Sequence, residues 1–380
     1  MAGVAFIAVV LMVIVFVDAF ETICLPRRVK HSFRLARFYY QAAWLFWRTS
    51  ARLLSTGRWR NGFLSVFGPL SLLGLIVVWA VGLIFSFALL HWSLDTALSF
   101  AGATDNSFPS YLYFSGTTFF TLGYGDLVPT GAWGRALSVT ESGLGFGFLA
   151  MIISYLPVIY QAFSRREIII SMLDARAGSP PTAGEFLRRL AAARAQAGTD
   201  GLLAEWERWA AELLESHLSY PVLSYYRSQH DNQSWVAALT MFLDTCALRI
   251  AGVDGADDYQ ARLTFAMARH AAVDLGLVFR RPPLAPESDR LPAADLARLL
   301  GTLREAGLQI RDEPAVGKAL TELRALYEPF VQALALQFEL ALPAFQSDMK
   351  AVDNWQTSPW TPRSPGLGAL PAAAADENIH

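Results

Sequence analysis

The sequence predicts an all-α membrane protein: three transmembrane helices with a short re-entrant helix and loop between the second and third, and then an all-α cytoplasmic domain. Three observations carry that prediction. Long uncharged apolar runs fill much of the first half of the chain. Basic residues gather at one end of these runs and acidic residues in the loops at the other. From about Arg165 the composition turns to Ala, Leu, Glu and Arg, the makeup of soluble helices. With 53% hydrophobic and 17% charged residues, the chain is too apolar for an ordinary soluble protein and fits a membrane region joined to a polar one. A net charge of −2 points away from nucleic acid as a partner. The two cysteines, Cys24 and Cys246, make neither a disulfide framework nor a metal site.

The first predicted helix, residues 1–25, is apolar apart from Asp18 and Glu21 near its end. No basic n-region or small-residue cleavage site marks it as a signal peptide. Its uncharged part is about 15 residues, short of the roughly 20 that cross the hydrocarbon. Asp18 and Glu21 are therefore expected at the cytoplasmic headgroups, within reach of Arg27 and Arg28; the alternative is an intramembrane carboxylate with a functional task. Residues 26–62 follow as a basic, aromatic segment, with nine Lys and Arg between Pro26 and Arg60 and no acid. Placed between two apolar spans, it is expected to lie on the cytoplasmic leaflet, arginines at anionic lipid. Lys and Arg excess also sets orientation, putting the N-terminus outside.

Residues 63–164 form the expected pore region. A second span covers about Phe67 to Trp92. From Pro109 to Phe120 runs an apolar, aromatic stretch of about 12 residues, or ~18 Å of helix, too short to span. It fits a helix that descends halfway, with Pro109 in its first turn and Asn106 or Ser107 as cap. The third span carries an uncharged run from Ser142 to Ser164, closed by Arg165 and Arg166. Between the short helix and the third span lies Thr121-Leu122-Gly123-Tyr124-Gly125-Asp126. Passing a dehydrated alkali cation requires rings of weakly charged oxygens that replace its water shell. Backbone carbonyls serve if successive peptides turn to one axis, which needs positive φ, and glycine adopts that at little steric cost. Gly123 and Gly125 stand where this is needed, and the Thr121 hydroxyl adds one more oxygen. A bare turn is the bland alternative for Gly-Tyr-Gly-Asp.

This hexapeptide resembles the selectivity filter of potassium channels, and about Phe67 to Phe163 resembles their two-helix pore module. The handful of flanking matches includes Pro129, Trp133, Gly134 and Arg135. The resemblance implies four chains around one axis, and potassium held by the carbonyls of Thr121, Leu122, Gly123 and Tyr124. It also implies that Gly125 and Asp126 shape the filter. Leu122 replaces the usual valine or isoleucine, and Phe120 stands where a small hydroxyl residue is common. Thr117 sits where some members carry a glutamate bonded to the filter aspartate, so Tyr113 is the candidate donor to Asp126. On the third span Gly143 and Gly147 make a G-x-x-x-G pair suited to close helix packing. Gly145 aligns with the family's hinge glycine, leaving hinge and packing both open, and Pro157 is a candidate kink near the cytoplasmic mouth.

The cytoplasmic domain is expected over residues 165–347. Thr182-x-x-Glu185 reads as a capping box. Amphipathic helices are expected near 184–197, 201–219, 234–251, 258–276, 293–306 and 314–342, with no strand-rich region. No glycine fingerprint points to a dinucleotide fold. His217, His230 and His270 lie near Asp244, Asp257 and Asp258 in sequence without metal or triad spacing, so no enzyme is expected. Trp206, Trp209 and Trp235 read as core anchors. Residues 348–380, rich in Trp, Pro and Ala, are expected to be disordered.

The expected function is passive, potassium-selective permeation through a homotetramer in a plasma or inner membrane, multi-pass, with no cofactor. Lipid is an expected partner, as is an unidentified ligand of the C-terminal domain. Two alternatives stand beside it: a weakly selective cation channel of the same fold, and a membrane-anchored sensor or interaction protein with a vestigial pore. No span carries arginines at every third position, which argues against voltage sensing.

Overall fold

The computed structural model describes residues 1–25, 34–54, 57–100, 103–104, 106–193, 198–230, 232–254, 258–286 and 288–346. Arg27, Arg28 and the expected disordered tail lie outside the described residues. The chain divides into two compact units, residues 1–163 with 216–226, and residues 164–215 with 227–380.

The first unit holds α1 (Ala2–Ile23), α2 (Leu35–Arg52), α3 (Arg58–Ser93), the short α4 (Phe108–Phe119) and most of α5 (Ala132–Ala177). Helices α1, α3 and α5 are long and apolar enough to cross a membrane. Their shared core joins Val15 and Ala19 to Leu75, Trp79 and Leu83, and then to Phe119, Phe148 and Ile152. Three short strands add a sheet that the sequence does not announce. β1 (Leu98–Phe100) lies between β2 (Ala103–Thr104) and β3 (Leu127–Pro129), all antiparallel, with Ser99 opposite Val128. Strands of two or three residues carry no period to read; the pairing arises because β3 returns beside β1 after the filter.

Asp18 is buried, 4% exposed. Its carboxylate accepts the Ala36 N–H at 3.0 and 3.1 Å and the Trp79 indole N–H at 2.8 Å. The acid at the end of α1 thus satisfies an orphan donor in the first turn of α2, where a negative charge also suits the helix dipole. Glu21 pairs with Arg34, at 3.7 Å. Helix α2 is shorter than the basic segment around it and is not merely laid on a surface. One side is buried through Ala36, Trp44 and Ala51, while Phe38, Leu45 and Phe46 stay exposed.

Residues 216–226, grouped by sequence with the C-terminal domain, pack within the first unit. A 3-10 turn at Pro221–Tyr225 buries Val222 and Leu223 against Leu72, Tyr155 and Ile159. The Tyr225 ring lies 6.0 Å from Tyr40, 5.2 Å from Trp44 and 5.1 Å from Phe67.

The second unit is helical: α6 (Ala183–Ala192), α7 (Thr199–Ser219, its last residues in the first unit), α8 (Trp235–Gly252), α9 (Tyr259–Val278), α10 (Ala293–Glu305), α11 (Glu313–Ala325) and α12 (Glu328–Phe338). Thr182 Oγ1 accepts the Glu185 N–H at 3.3 Å, while the Glu185 carboxylate turns to Arg188 and Arg189. Two expectations change. Helix α8 is not amphipathic: all of its residues are buried, so the other helices of this unit enclose it. Its 18 residues and apolar makeup qualify it as a span, but its burial on every side makes it a protein core. The single helix expected over 314–342 is two helices, because Pro329 opens α12 and cannot continue α11.

Candidate pore and filter site

Helix α4 is held on three sides before the filter begins. Tyr111 and Phe114 are buried with Ala88 and Leu98. The Tyr111 hydroxyl donates to the Thr96 carbonyl at 3.0 Å, and Ser115 Oγ lies 2.9 Å from the Ile84 carbonyl. Its carbonyl end then receives the incoming loop, with Leu122 N–H donating to Thr117 O at 2.8 Å. Helix dipoles place partial negative charge at that end.

From there φ alternates. Thr121, Gly123 and Gly125 have φ of +57°, +58° and +76°, and the intervening Leu122 and Tyr124 do not enter the positive region. Alternating backbone hand turns successive peptide planes the same way, gathering carbonyls on one side and N–H groups on the other. Glycine allows this at 123 and 125; at the β-branched Thr121 it is a strained conformation of the kind that costs about 1–3 kcal/mol. Leu122 is 54% exposed and Tyr124 69% exposed on the single chain. The loop therefore carries two large side chains that the rest of the chain leaves uncovered.

Asp126 follows, and the Tyr113 hydroxyl donates to its Oδ2 at 2.8 Å. That bond, with a second from the Leu127 N–H, holds the Asp126 carboxyl below the usual carboxylate range. Thr117 takes no part in this: its hydroxyl donates to the Phe114 carbonyl of the preceding turn.

Helix α5 runs unbroken past Gly145 and Pro157. Gly145 sits directly against the end of α4, where a Cβ would meet Phe119 O at 2.0 Å. Close approach thus accounts for that glycine. Gly143 and Gly147, the pair that resembles a packing motif, would have nothing within 4 Å of an added Cβ.

Sequence reasoning passed over two residues here. Glu141 was left just outside the uncharged run, and His91 was counted into an uncharged span. Both are fully buried, and His91 Nε2 lies 3.5 Å from Glu141 Oε2. A lone acid and a lone histidine at neighbouring ends of two spans were the available signal.

In the second unit Asp244 belongs to a buried ion-pair network. Asp244, fully buried, accepts Arg290 and Tyr327, both at 2.5 Å, and Arg290 also donates to Glu328 at 3.0 Å. Burial works to lower the Arg290 pKa, but the Asp244 charge overrides it and the net direction is up. Trp206, Trp209 and Trp235 are buried. Among the described residues, no three His, Cys, Asp or Glu side chains are grouped to hold a metal.

The fold and this loop define an integral membrane protein with a re-entrant pore loop. Residues 73–161 match the family described as "Ion channel". The chain is also 29% identical over 189 residues to the "Uncharacterized membrane protein YdjJ" of Bacillus subtilis (strain 168). The alignment covers 47% of this chain and 54% of that relative, so the chain spans about half the length of the curated protein it matches. No solved structure matches.

Proposed function

We propose that this chain is one subunit of a potassium-selective channel, in which four chains bring their Thr121–Tyr124 carbonyls to a common axis. The observation that carries this is the alternation of φ from Thr121 to Gly125, which groups weak oxygen ligands on one side of a short strand. Two further features support it. The carbonyl end of α4 meets the base of the filter, where it favours a cation. The exposed Leu122 and Tyr124 side chains need neighbours, which adjacent copies would supply, since one strand cannot enclose an ion. Permeation is passive and needs no cofactor, in a multi-pass protein of a plasma or inner membrane with the second unit in the cytoplasm. Thr121, Leu122, Gly123 and Tyr124 would hold the ion, Gly125 and Asp126 the filter shape.

The test is purified protein in liposomes under opposed sodium and potassium gradients. The expected result is a reversal potential near that of potassium, lost on Gly123→Ala. A permeability ratio near one would make it a weakly selective cation pore instead, and no flux at all from correctly folded protein would refute conduction.

A further inference from the structure

Behind the filter, three elements meet at one carboxyl. Glu141 of α5, His91 of α3 and Ser115 of α4 are each fully buried. Ser115 Oγ is hydrogen-bonded to Glu141 Oε1 and also lies 2.9 Å from the Ile84 carbonyl. On the other side of the imidazole, His91 Nδ1 is 2.8 Å from Thr96 Oγ1, and the Phe114 ring meets the imidazole edge-on at 5.3 Å. His91 Nε2 and Glu141 Oε2, both buried with no hydrogen bond, face each other at 3.5 Å. Among the described residues, His91 and Glu141 are the ionisable groups of this cluster; α4 contributes Ser115, and the segment after α3 contributes Thr96.

Counting protons decides how such a cluster is stable. Thr96 Oγ1 also lies 3.2 Å from the His91 carbonyl, so its proton can go there while His91 Nδ1–H donates to the hydroxyl oxygen. Nε2 and Oε2 then present two lone pairs to each other unless one proton lies between them. With that proton the pair is net neutral, whichever atom holds it. Removing it leaves one negative charge in the interior, and adding another leaves one positive charge, each costly without a partner. The neutral pair is therefore the favoured form, and it ties α3 and α5 to α4. Ser115 stands two residues before Thr117, whose carbonyl takes the Leu122 N–H at the start of the filter.

We propose that Glu141 is a positioning residue for the filter, acting through Ser115 and sharing one proton with His91. This rests on the conduction proposed above. Potassium flux and thermal unfolding of the full chain, each measured across pH, test it by separate readouts. Glu141→Ala should lower flux about tenfold, the scale of one buried polar group left unpaired. Glu141→Gln should restore it, because the amide can accept from Ser115 and donate to His91 Nε2. The volume-matched Glu141→Met should not restore it. His91→Gln leaves a buried carboxyl with no base beside it, so its flux and unfolding temperature should fall at alkaline pH where those of the wild type stay level. A Glu141→Met protein equal to wild type, or a His91→Gln protein as pH-insensitive as wild type, overturns the proposal. Should the wild type pass no ions, the conduction reading fails, and the unfolding series still decides whether the proton is shared.

Discussion

Replacing Gly145 with alanine puts a methyl group where the structure has a backbone oxygen. The added Cβ would stand 2.0 Å from Phe119 O, 2.8 Å from Phe119 C and 3.1 Å from Phe119 Cα. Carbon–oxygen contacts rest at about 3.3 Å, so α5 and the end of α4 must separate by ~1.3 Å. No side-chain rotation can relieve this, because the obstructing atoms are main chain. Overpacking of this kind costs about 1–3 kcal/mol, while alanine in place of a helical glycine returns at most ~1 kcal/mol. Gly145→Ala should therefore lower stability and, because Phe119 is the last residue of α4 before the 121–126 loop, lower flux through the proposed channel as well. Gly143→Ala and Gly147→Ala meet nothing within 4 Å in the chain and should be neutral or slightly stabilising. Thermal unfolding in detergent and liposome flux, run on all three variants, provide the comparison. If Gly145→Ala matches Gly143→Ala in both, close packing is not the reason for this glycine.

Asp18→Ala should destabilise the first unit by about 3 kcal/mol, since it strands the buried Ala36 N–H and Trp79 Nε1–H without an acceptor. Chemical or thermal unfolding measures this, and a loss under ~0.5 kcal/mol would mean that water replaces the carboxylate. Tyr113→Phe should make the filter acid-sensitive. The Tyr113 bond holds the Asp126 pKa below its unfolded value, so its contribution is complete above the ordinary carboxylate range and is lost only as pH falls through the lowered value. Without the phenol that loss should begin at a higher pH, read as flux against pH on the filter side; identical acid limbs in the two proteins would contradict it.

What the sequence settles here is what short-range physics settles. Apolar runs long enough to cross a bilayer give α1, α3 and α5, because lipid leaves the backbone no partner but itself. Glycines at 123 and 125 mark positive φ, since that region excludes most side chains, and both glycines adopt it. Thr182 marks a helix start because its hydroxyl reaches an amide three residues on. The Pro329 break is equally local, a ring that cannot continue a helix, set inside a long apolar pattern.

The tertiary structure decided whatever depends on partners distant in the chain. Asp18 has no visible role in the sequence until Ala36 and Trp79 are brought to it, and α8 resembles a span until α6, α7, α9, α11 and α12 pack against it. Gly145 is distinguished from Gly143 and Gly147 by the backbone oxygen of Phe119, a contact made across 26 residues of sequence that no spacing within α5 encodes. Glu141 and His91 are 50 positions apart, and only the packing of α3 against α4 and α5 makes them a pair. A residue's chemistry is written in its own letter, but whether that chemistry is shielded from water and what stands opposite it are properties of the assembled chain.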